Sequence, residues 1–268
     1  MQFCLTAEVR GLEEKRQNTT TVDGVRAIEM RYRPIFDTDT KEPAFYQSSI
    51  RLNSAEMGVL LPERFMPVLE SCDRCISVFK LALLQTIKAG EKFAERELDF
   101  GWISVFMPLW LLQRNYCISI LNDFMSQIKA DTSKICLEIP SVVVNEGNEH
   151  CIEAVKKLRK AGFHTMITGL DDSFSMFGLA ELEPEFIMLD RRVTEGIGED
   201  KRRDACIKSL ISFIDDLDAY AVAAGVSSPD EADKLYDMNC PYYTVSENSG
   251  ERGGSFMLER FVRRRTQE

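Results

Sequence analysis

A regular pattern of apolar and polar positions begins at Val25 and predicts a pair of strands followed by a helix. The pattern indicates one strand over Val25–Phe36 and another over Ala44–Leu52. The turn residues between them, DTDTKEP at 37–43, join the two strands into a predicted hairpin. The helix that follows has its apolar residues on one face, at Ile76, Phe79, Leu83, Leu84 and Ile87.

Strands and helices then alternate to the end of the chain. Further strands are predicted at 99–106, 134–139, 164–170, 186–189, 220–224 and 242–245, and helices at 149–161, 206–217, from Ser228, and at 256–264. Gly162 is a plausible left-handed end to one of these helices, and the capping box SPDE at 228–231 begins another. The alternation predicts an α/β protein with a mainly parallel sheet, and about eight strands in one domain favour a closed barrel. The opening hairpin is the exception, because an all-parallel barrel does not begin with an antiparallel pair.

Composition limits the classes of protein and of partner. The chain has 268 residues, of which 44% are apolar and 28% charged, so it is long enough for a packed core and is not a mostly disordered chain. Its net charge of −10 argues against nucleic acid or an anionic membrane surface as a partner. We see no signal peptide, and the most apolar window, 102–112, is about half as long as a membrane span. We expect a soluble, cytoplasmic protein whose eight cysteines are reduced.

Two regions are predicted. Residues 1–24 form an N-terminal arm or linker, either a poorly ordered terminus or a short functional arm, and residues 25–268 form the barrel domain. The CDRC sequence at 72–75 has metal-like spacing, but no second pair or nearby histidine completes a site, so it is interpreted as one face of a helix start.

Several segments form a second pattern by their order and spacing. They are MRYRPIFD at 30–37, then Arg51, Gly58, Pro62 and Phe65, CLEI at 136–139, the stretch 158–172, IMLDR at 187–191 and AAGVS at 223–227. Together these segments resemble the EAL-domain phosphodiesterases, which hydrolyse the bacterial second messenger cyclic di-GMP, and MRYRPIFD is similar to the first strand of that family. The resemblance implies a TIM-like (β/α)8 barrel with an antiparallel first strand, which accounts for the hairpin.

The active-site positions depart from this family. Its members cleave the phosphodiester with two divalent metals, which need several carboxylate or amide oxygens. Glu138, Asp171 and Asp172 match the family acids, but the loop after Asp172 is shortened, and we interpret the three acids as held by backbone or arginine partners rather than by a metal. The remaining metal-binding and catalytic positions are substituted, by Gln47, Phe106, Met188 (in place of the lysine), Ala224, Ser227 and Thr244. The resemblance therefore predicts no catalysis and no cofactor, with at most one weakly bound Mg²⁺ or Mn²⁺ between Glu138 and Asp171.

Two kinds of binding remain open. Arg51 resembles the family arginine that contacts the dinucleotide phosphate, but one arginine is a weak phosphate site. Aromatic and methionine residues follow the strand ends, and those that do not fill the vacated pocket are candidates for an interface with a partner: Phe106, Met107, Trp110, Phe174, Met176 and Phe177.

The preferred hypothesis is a catalytically inactive EAL-like domain that regulates bacterial signalling by binding a protein, for which a transcription or motility regulator is one candidate and cyclic di-GMP is not expected as a ligand. The acidic chain favours a basic partner. The alternative is a sensor that binds cyclic di-GMP without cleaving it, or a residual phosphodiesterase.

Overall fold

Nine strands of the chain form one sheet that closes into a barrel. The computed structural model describes residues 21–22, 25–26, 28–54, 56–146 and 149–246. A small ribbon, β1 (Thr21–Val22) and β2 (Val25–Arg26), precedes the sheet. The sheet strands are β3 (Ile28–Asp37), β4 (Pro43–Ser54), β5 (Gly58–Leu60), β6 (Ile103–Phe106), β7 (Ile135–Pro140), β8 (His164–Leu170), β9 (Phe186–Leu189), β10 (Tyr220–Val226) and β11 (Tyr242–Val245).

Strand β3 closes the barrel by pairing with a strand on each side. It is antiparallel both to β4 and to β11, while β4, β6, β7, β8, β9, β10 and β11 run parallel in that order. β5 lies outside the closed ring, and among the described strands it pairs only with the last residues of β4. The predicted TIM-like (β/α)8 barrel with an antiparallel first strand is therefore confirmed.

Helices cover the outside of the barrel between successive strands. They are α1 (Pro62–Leu69), α2 (Arg74–Glu95), α3 (Leu109–Leu112), α4 (Cys117–Ile128), α5 (Val142–Glu146), α6 (Glu149–Lys160), α7 (Met176–Leu182), α8 (Arg191–Thr194), α9 (Lys201–Asp216) and α10 (Pro229–Asp237), with a 3-10 turn at Thr132–Lys134. The predicted helix start at Ser228 is confirmed, since its hydroxyl accepts from the Glu231 backbone N–H, while the Glu231 carboxylate accepts from the Ser227 N–H. Gly162 has a φ of +89° and ends α6 in the left-handed region, as its position predicts.

Three predicted boundaries are wrong by several residues. The strand predicted from Val25 divides, because Val25–Arg26 pairs with Thr21–Val22 before β3 begins at Ile28. β6 begins at Ile103 rather than at residue 99. Helix α9 begins at Lys201, five residues early, because the Asp200 carboxylate caps it by accepting from the Arg202 N–H. The helix predicted at 256–264 and most of the arm at 1–24 lie outside the described residues.

The core consists of two layers on either side of the barrel wall. Residues that alternate outward from the strands, such as Leu137 and Leu189, pack against the helices. The inward layer contains Ile35, Trp102, Cys136, Met166, Phe186, Met188 and Val222. Aromatic rings fill the end of the barrel where the parallel strands begin, and there Phe45 stacks on Trp102 with their ring centroids 4.2 Å apart. The interior is thus packed, and its chemistry is confined to the carboxyl ends of the strands.

The cysteines behave as small apolar residues. All seven described cysteines are free, and five of them are buried: Cys75, Cys117, Cys136, Cys151 and Cys240. Cys4 lies outside the described residues. Within the described part of the chain, no helix has both the length and the apolar character needed to cross a bilayer.

Candidate functional site

The barrel brings the sequence-predicted positions to one end, where its parallel strands finish. Inward-facing residues on β4, β7 and β9 supply Gln47, Glu138 and Met188. Phe106 ends β6 directly opposite Glu138, and Asp171 and Asp172 follow β8. Side chains at the carboxyl ends of barrel strands are where catalytic groups of this architecture lie. This end of the barrel is the candidate site.

Arg33 extends from β3 into the site and holds Gln47. The two residues are register partners in the β3–β4 hairpin, and the Arg33 Nε donates to the Gln47 Oε1 at 2.7 Å. The Gln47 amide nitrogen lies 3.7 Å from the Met188 Sδ. Gln47 is only 8% exposed, so these contacts take place out of solvent. A permanent cation, a neutral amide and a thioether therefore meet inside the barrel mouth.

The Glu138 carboxyl lies in the same cluster. Its Oε1 accepts a hydrogen bond from the Ser104 hydroxyl on β6, and Gln47 also hydrogen-bonds this carboxyl. Burial raises the pKa of Glu138 above its ordinary value, although the two hydrogen bonds and the positive charge of Arg33 oppose that rise. Glu138 is thus a buried carboxyl that interacts electrostatically with Arg33. We call Arg33, Gln47, Ser104, Glu138 and Met188 the arginine cluster.

A second arginine bridges the acids on the other side of the mouth. The Arg192 guanidinium lies 2.9 Å from the Asp190 Oδ1 and 3.4 Å from the Asp171 Oδ2. Asp171 also accepts from the Ser173 N–H at 3.0 Å and from the Ser173 hydroxyl at 2.6 Å. These bonds from Ser173, with the charge of Arg192, lower the pKa of Asp171, and the Arg192 hydrogen bond lowers that of Asp190. Asp172 lies exposed beside this bridge.

The remaining substituted positions make structural contacts. The fully buried Thr244 hydroxyl accepts from the Gly225 N–H at 3.1 Å. Ser227 is held by Glu231, whose carboxylate accepts from both its N–H and its hydroxyl. The Ala224 carbonyl accepts from the Thr194 hydroxyl at 3.2 Å. Phe106 packs edge-on against Phe79, with ring centroids 5.9 Å apart.

This donor set does not fit two divalent metals. A hard cation needs several free oxygen ligands, and the oxygens of Gln47 and Asp171 already accept from arginines. Met188 and Phe106 add apolar surface beside them. Among the described residues, no three His, Cys, Asp or Glu side chains are grouped so that they could hold a metal. Cys72 and Cys75 flank the start of α2, as the sequence indicates.

Arg51 lies further along the same face of β4 as Gln47. It is half-buried and stands opposite Glu29 on β3. The Glu29 carboxylate in turn accepts from the Arg31 Nε at 2.9 Å. The hairpin therefore presents arginines near the mouth with one acid among them.

The predicted interface residues divide by exposure. Met107 is buried, while Trp110 is half-buried with the Arg114 guanidinium stacked 4.2 Å from its ring. Phe174 is half-buried and stacks with Phe213. On α7, Phe177 is 85% exposed and Met176 is 54% exposed. Only the last two form an apolar surface on this side of the mouth, which we call the α7 patch.

The sequence predicts backbone or arginine partners for the retained acids, but it does not identify the two arginines that organise the site. Arg33 belongs to MRYRPIFD, which is interpreted above only as part of the first strand, and its inward position is visible in the alternation with Ile35. Arg192 follows Asp190 by two residues and reaches Asp171 only because β8 and β9 are neighbours. The inward position of Arg33 can be predicted from the sequence. The contact of Arg192 with Asp171 cannot, because it depends on the order of the strands in the sheet.

Comparison with known proteins identifies the family. A family model described as EAL domain matches residues 22–244. The probable cyclic di-GMP phosphodiesterase PdeI of Escherichia coli is 23% identical over 251 residues, which cover 89% of this chain and 31% of PdeI. The chain thus spans under a third of the length of that relative.

Solved structures share the fold. The EAL enzyme Bd1971, in a form with cAMP and cyclic di-GMP bound, superposes with a TM-score of 0.73 at 21% identity, over 87% of this chain and 64% of that one. The EAL domain of FimX from Pseudomonas aeruginosa, bound to cyclic di-GMP, gives a TM-score of 0.72 at 14% identity, over 82% of this chain and 88% of that one. Because the EAL domain model matches residues 22–244, which are most of the chain, this protein belongs to the EAL domain family.

Proposed function

We propose that this EAL domain does not hydrolyse cyclic di-GMP and acts instead as a protein-binding module in bacterial signalling. The observation that carries the first half is the arginine cluster, where the Arg33 guanidinium donates to Gln47 beside Glu138. A resident guanidinium supplies positive charge at the carboxyl without any metal, and it carries no water that could be activated.

The Arg192 bridge supports the same proposal. Asp171 and Asp190 each lie within reach of its guanidinium, and both are held ionised by their hydrogen bonds and by its charge. A divalent metal at Asp171 would have to displace this contact and those of Ser173. With Met188 at the lysine position, the site also lacks the base that the family uses.

The protein-binding half rests on the α7 patch. Phe177 and Met176 lie exposed on a short helix just after β8, near the mouth. Aromatic and methionine residues are enriched at the centres of protein interfaces, and a soluble domain gains nothing from leaving them in water. The net charge of −10 favours a basic partner, with a transcription or motility regulator as one candidate.

Two assays test the proposal. Purified protein with Mg²⁺ or Mn²⁺ should leave cyclic di-GMP intact, and turnover that disappears in Glu138→Ala would refute the inactive site.

The second assay concerns the partner. The wild type should capture binding proteins from the source cell, and the Phe177→Ser variant should fail to capture them. Tyr220→Ser is the matched control, because Tyr220 is an exposed aromatic at the opposite end of the barrel. Equal capture by both variants would place the interface elsewhere.

A second candidate function is binding of cyclic di-GMP without cleavage. Arg51 favours it, because it lies on the mouth-facing side of β4, and the solved EAL domain of FimX has this dinucleotide bound. Calorimetric titration of the wild type and of Arg51→Ala with cyclic di-GMP separates the two candidates. Saturable binding lost in the variant supports the sensor, and no heat in either supports the protein-binding module.

A further inference from the structure

Two cysteines lie one turn apart where α1 ends and α2 begins. Cys72 is in the turn that follows α1, and Cys75 is the second residue of α2. The Cys75 backbone N–H donates to the Cys72 carbonyl at 3.3 Å, so the two residues are the ends of a hydrogen-bonded turn. The Cα atoms at the ends of such a turn are less than about 7 Å apart, and two cysteines within that distance can be joined by a disulfide.

The two thiols also lie near each other. Burial raises the pKa of the Cys75 thiol to about 11, and Cys72 adds to this rise, followed by the carboxylates of Glu70 and Asp73. An electrostatic effect of one thiol on the other requires that the two groups be close. The side chains as well as the backbones of Cys72 and Cys75 are therefore neighbours.

The two thiols differ in their access to solvent. Cys72 is partly exposed, and its Sγ lies 4.0 Å from the Leu69 carbonyl oxygen. Cys75 is fully buried. A dissolved oxidant can therefore reach Cys72 directly, while Cys75 can react only with a sulfur that Cys72 brings to it.

The charges around Cys75 favour a disulfide over a thiolate. Disulfide pairs that are strong oxidants have a reduced form that is stabilised. Here burial and the carboxylates of Glu70 and Asp73 oppose a thiolate at Cys75, and together they outweigh the hydrogen bond from the Ile76 N–H. A disulfide carries no charge, so these carboxylates do not oppose it. We therefore expect a disulfide that resists reduction once it has formed.

The turn that carries the pair is attached to the barrel mouth. The Glu70 Oε1 accepts from the Leu109 N–H at 3.3 Å, and Leu109 begins α3 directly after β6. A covalent change between residues 72 and 75 therefore takes place in a segment that is hydrogen-bonded to the candidate site.

We propose that Cys72 and Cys75 are a redox pair, which glutathione disulfide oxidises to an intrachain disulfide. The Cys72 sulfur attacks one sulfur of glutathione disulfide, forming a mixed disulfide and releasing one glutathione. The Cys75 sulfur then attacks the Cys72 sulfur, which forms the Cys72–Cys75 bond and releases the second glutathione. Each released glutathione takes up the proton that a cysteine loses, so two thiols are oxidised while one glutathione disulfide is reduced. This inference does not depend on whether the barrel is catalytically inactive.

A redox titration of the full chain tests the proposal. The protein is equilibrated in glutathione buffers of increasing oxidised fraction, its free thiols are alkylated, and it is digested with trypsin, which cuts after Arg64, Arg74 and Lys80. The disulfide then joins peptide 65–74 to peptide 75–80, and mass spectrometry measures the linked pair. Because the fold sets the turn in advance, we expect the equilibrium constant for the disulfide to be about tenfold or more higher than in the chain unfolded by urea.

Two variants complete the test. Cys75→Ser should stop at the mixed disulfide and carry glutathione on Cys72. Cys206→Ser is the matched control, because it removes an exposed cysteine on α9 and should leave the linked pair unchanged. Absence of the linked pair in every buffer, equal equilibrium constants in the folded and unfolded chain, or no glutathione on Cys72 in Cys75→Ser would each overturn the proposal.

Discussion

The Arg33 guanidinium donates to the side-chain oxygen of Gln47 at 2.7 Å, across the hairpin that opens the barrel. The pair lies beside Glu138, so an internal cation stands among the residues that would otherwise offer oxygens to a metal. This contact joins the fold to the proposed loss of chemistry, because the antiparallel pairing of β3 with β4 alone brings Arg33 to Gln47.

Removal of Arg33 should destabilise the barrel. In Arg33→Met, Gln47 and Glu138 lose a donor and a charge away from solvent, and we expect the free energy of unfolding to fall by about 2 kcal/mol. Arg31→Met is the control, because the exposed Arg31–Glu29 pair should contribute less than about 1 kcal/mol. Urea denaturation measures both, and equal losses would show that the arginine cluster contributes no more than a surface ion pair.

Glu138 and Asp190, on the two sides of the mouth, should make the stability of the fold depend on pH in opposite directions. The folded protein raises the pKa of Glu138, so its contribution to stability is present below the unfolded pKa and is lost as the pH rises through the folded one. Asp190 has a lowered pKa, so its contribution is present above the unfolded pKa and is lost as the pH falls through the folded one.

The matching variants are Glu138→Gln and Asp190→Asn. Relative to wild type, Glu138→Gln should gain stability as the pH rises from about 4 to 8, while the deficit of Asp190→Asn should be constant above about pH 5 and should shrink as the pH falls below about 4. Denaturant unfolding at several pH values supplies the comparison. If the stability difference between variant and wild type changed with pH in the same direction for both variants, the pKa values of the two carboxyls would not be shifted in opposite directions.

The hydroxyl of Thr244 should contribute to the free energy of unfolding. Thr244→Val keeps the shape and leaves the Gly225 N–H without its acceptor, which we expect to cost about 1–3 kcal/mol. Thr165→Val is the control, since the equally buried Thr165 hydroxyl has no hydrogen-bond partner in the described part of the chain. That substitution should be neutral or stabilising, and a larger loss there than at Thr244 would contradict the assignment.

A designed reversal should create a metal site. Arg33→Gln with Gln47→Glu removes the internal cation and adds a carboxylate near Glu138, so Mn²⁺ affinity should rise about tenfold or more over wild type. Arg31→Gln with Gln47→Glu is the matched control, because Arg33 remains there to pair with the new carboxylate. Calorimetric titration with Mn²⁺ measures the affinity of both double variants. Equal affinities would mean that Arg33 does not exclude the cation.

The sequence predicts the barrel well because its strands are short buried apolar runs between clear turns. β8, β9 and β11 have the predicted bounds, and the turn at 37–43 sets the register that pairs Arg33 with Gln47. Boundaries shift where a polar cap extends an element, as Asp200 does for α9. The Arg192 bridge could not be predicted from spacing alone, because it depends on two strands that are neighbours in space.

If arginines occupy the place of the metals, the unmodified protein cannot hold a pair of divalent ions, and the stoichiometry of Mn²⁺ binding measures this. Free Mn²⁺ followed by electron paramagnetic resonance during titration should reveal at most one weakly bound ion per chain. Two ions per chain, both lost in Glu138→Gln, would show that Arg33 and Arg192 do not exclude the metals.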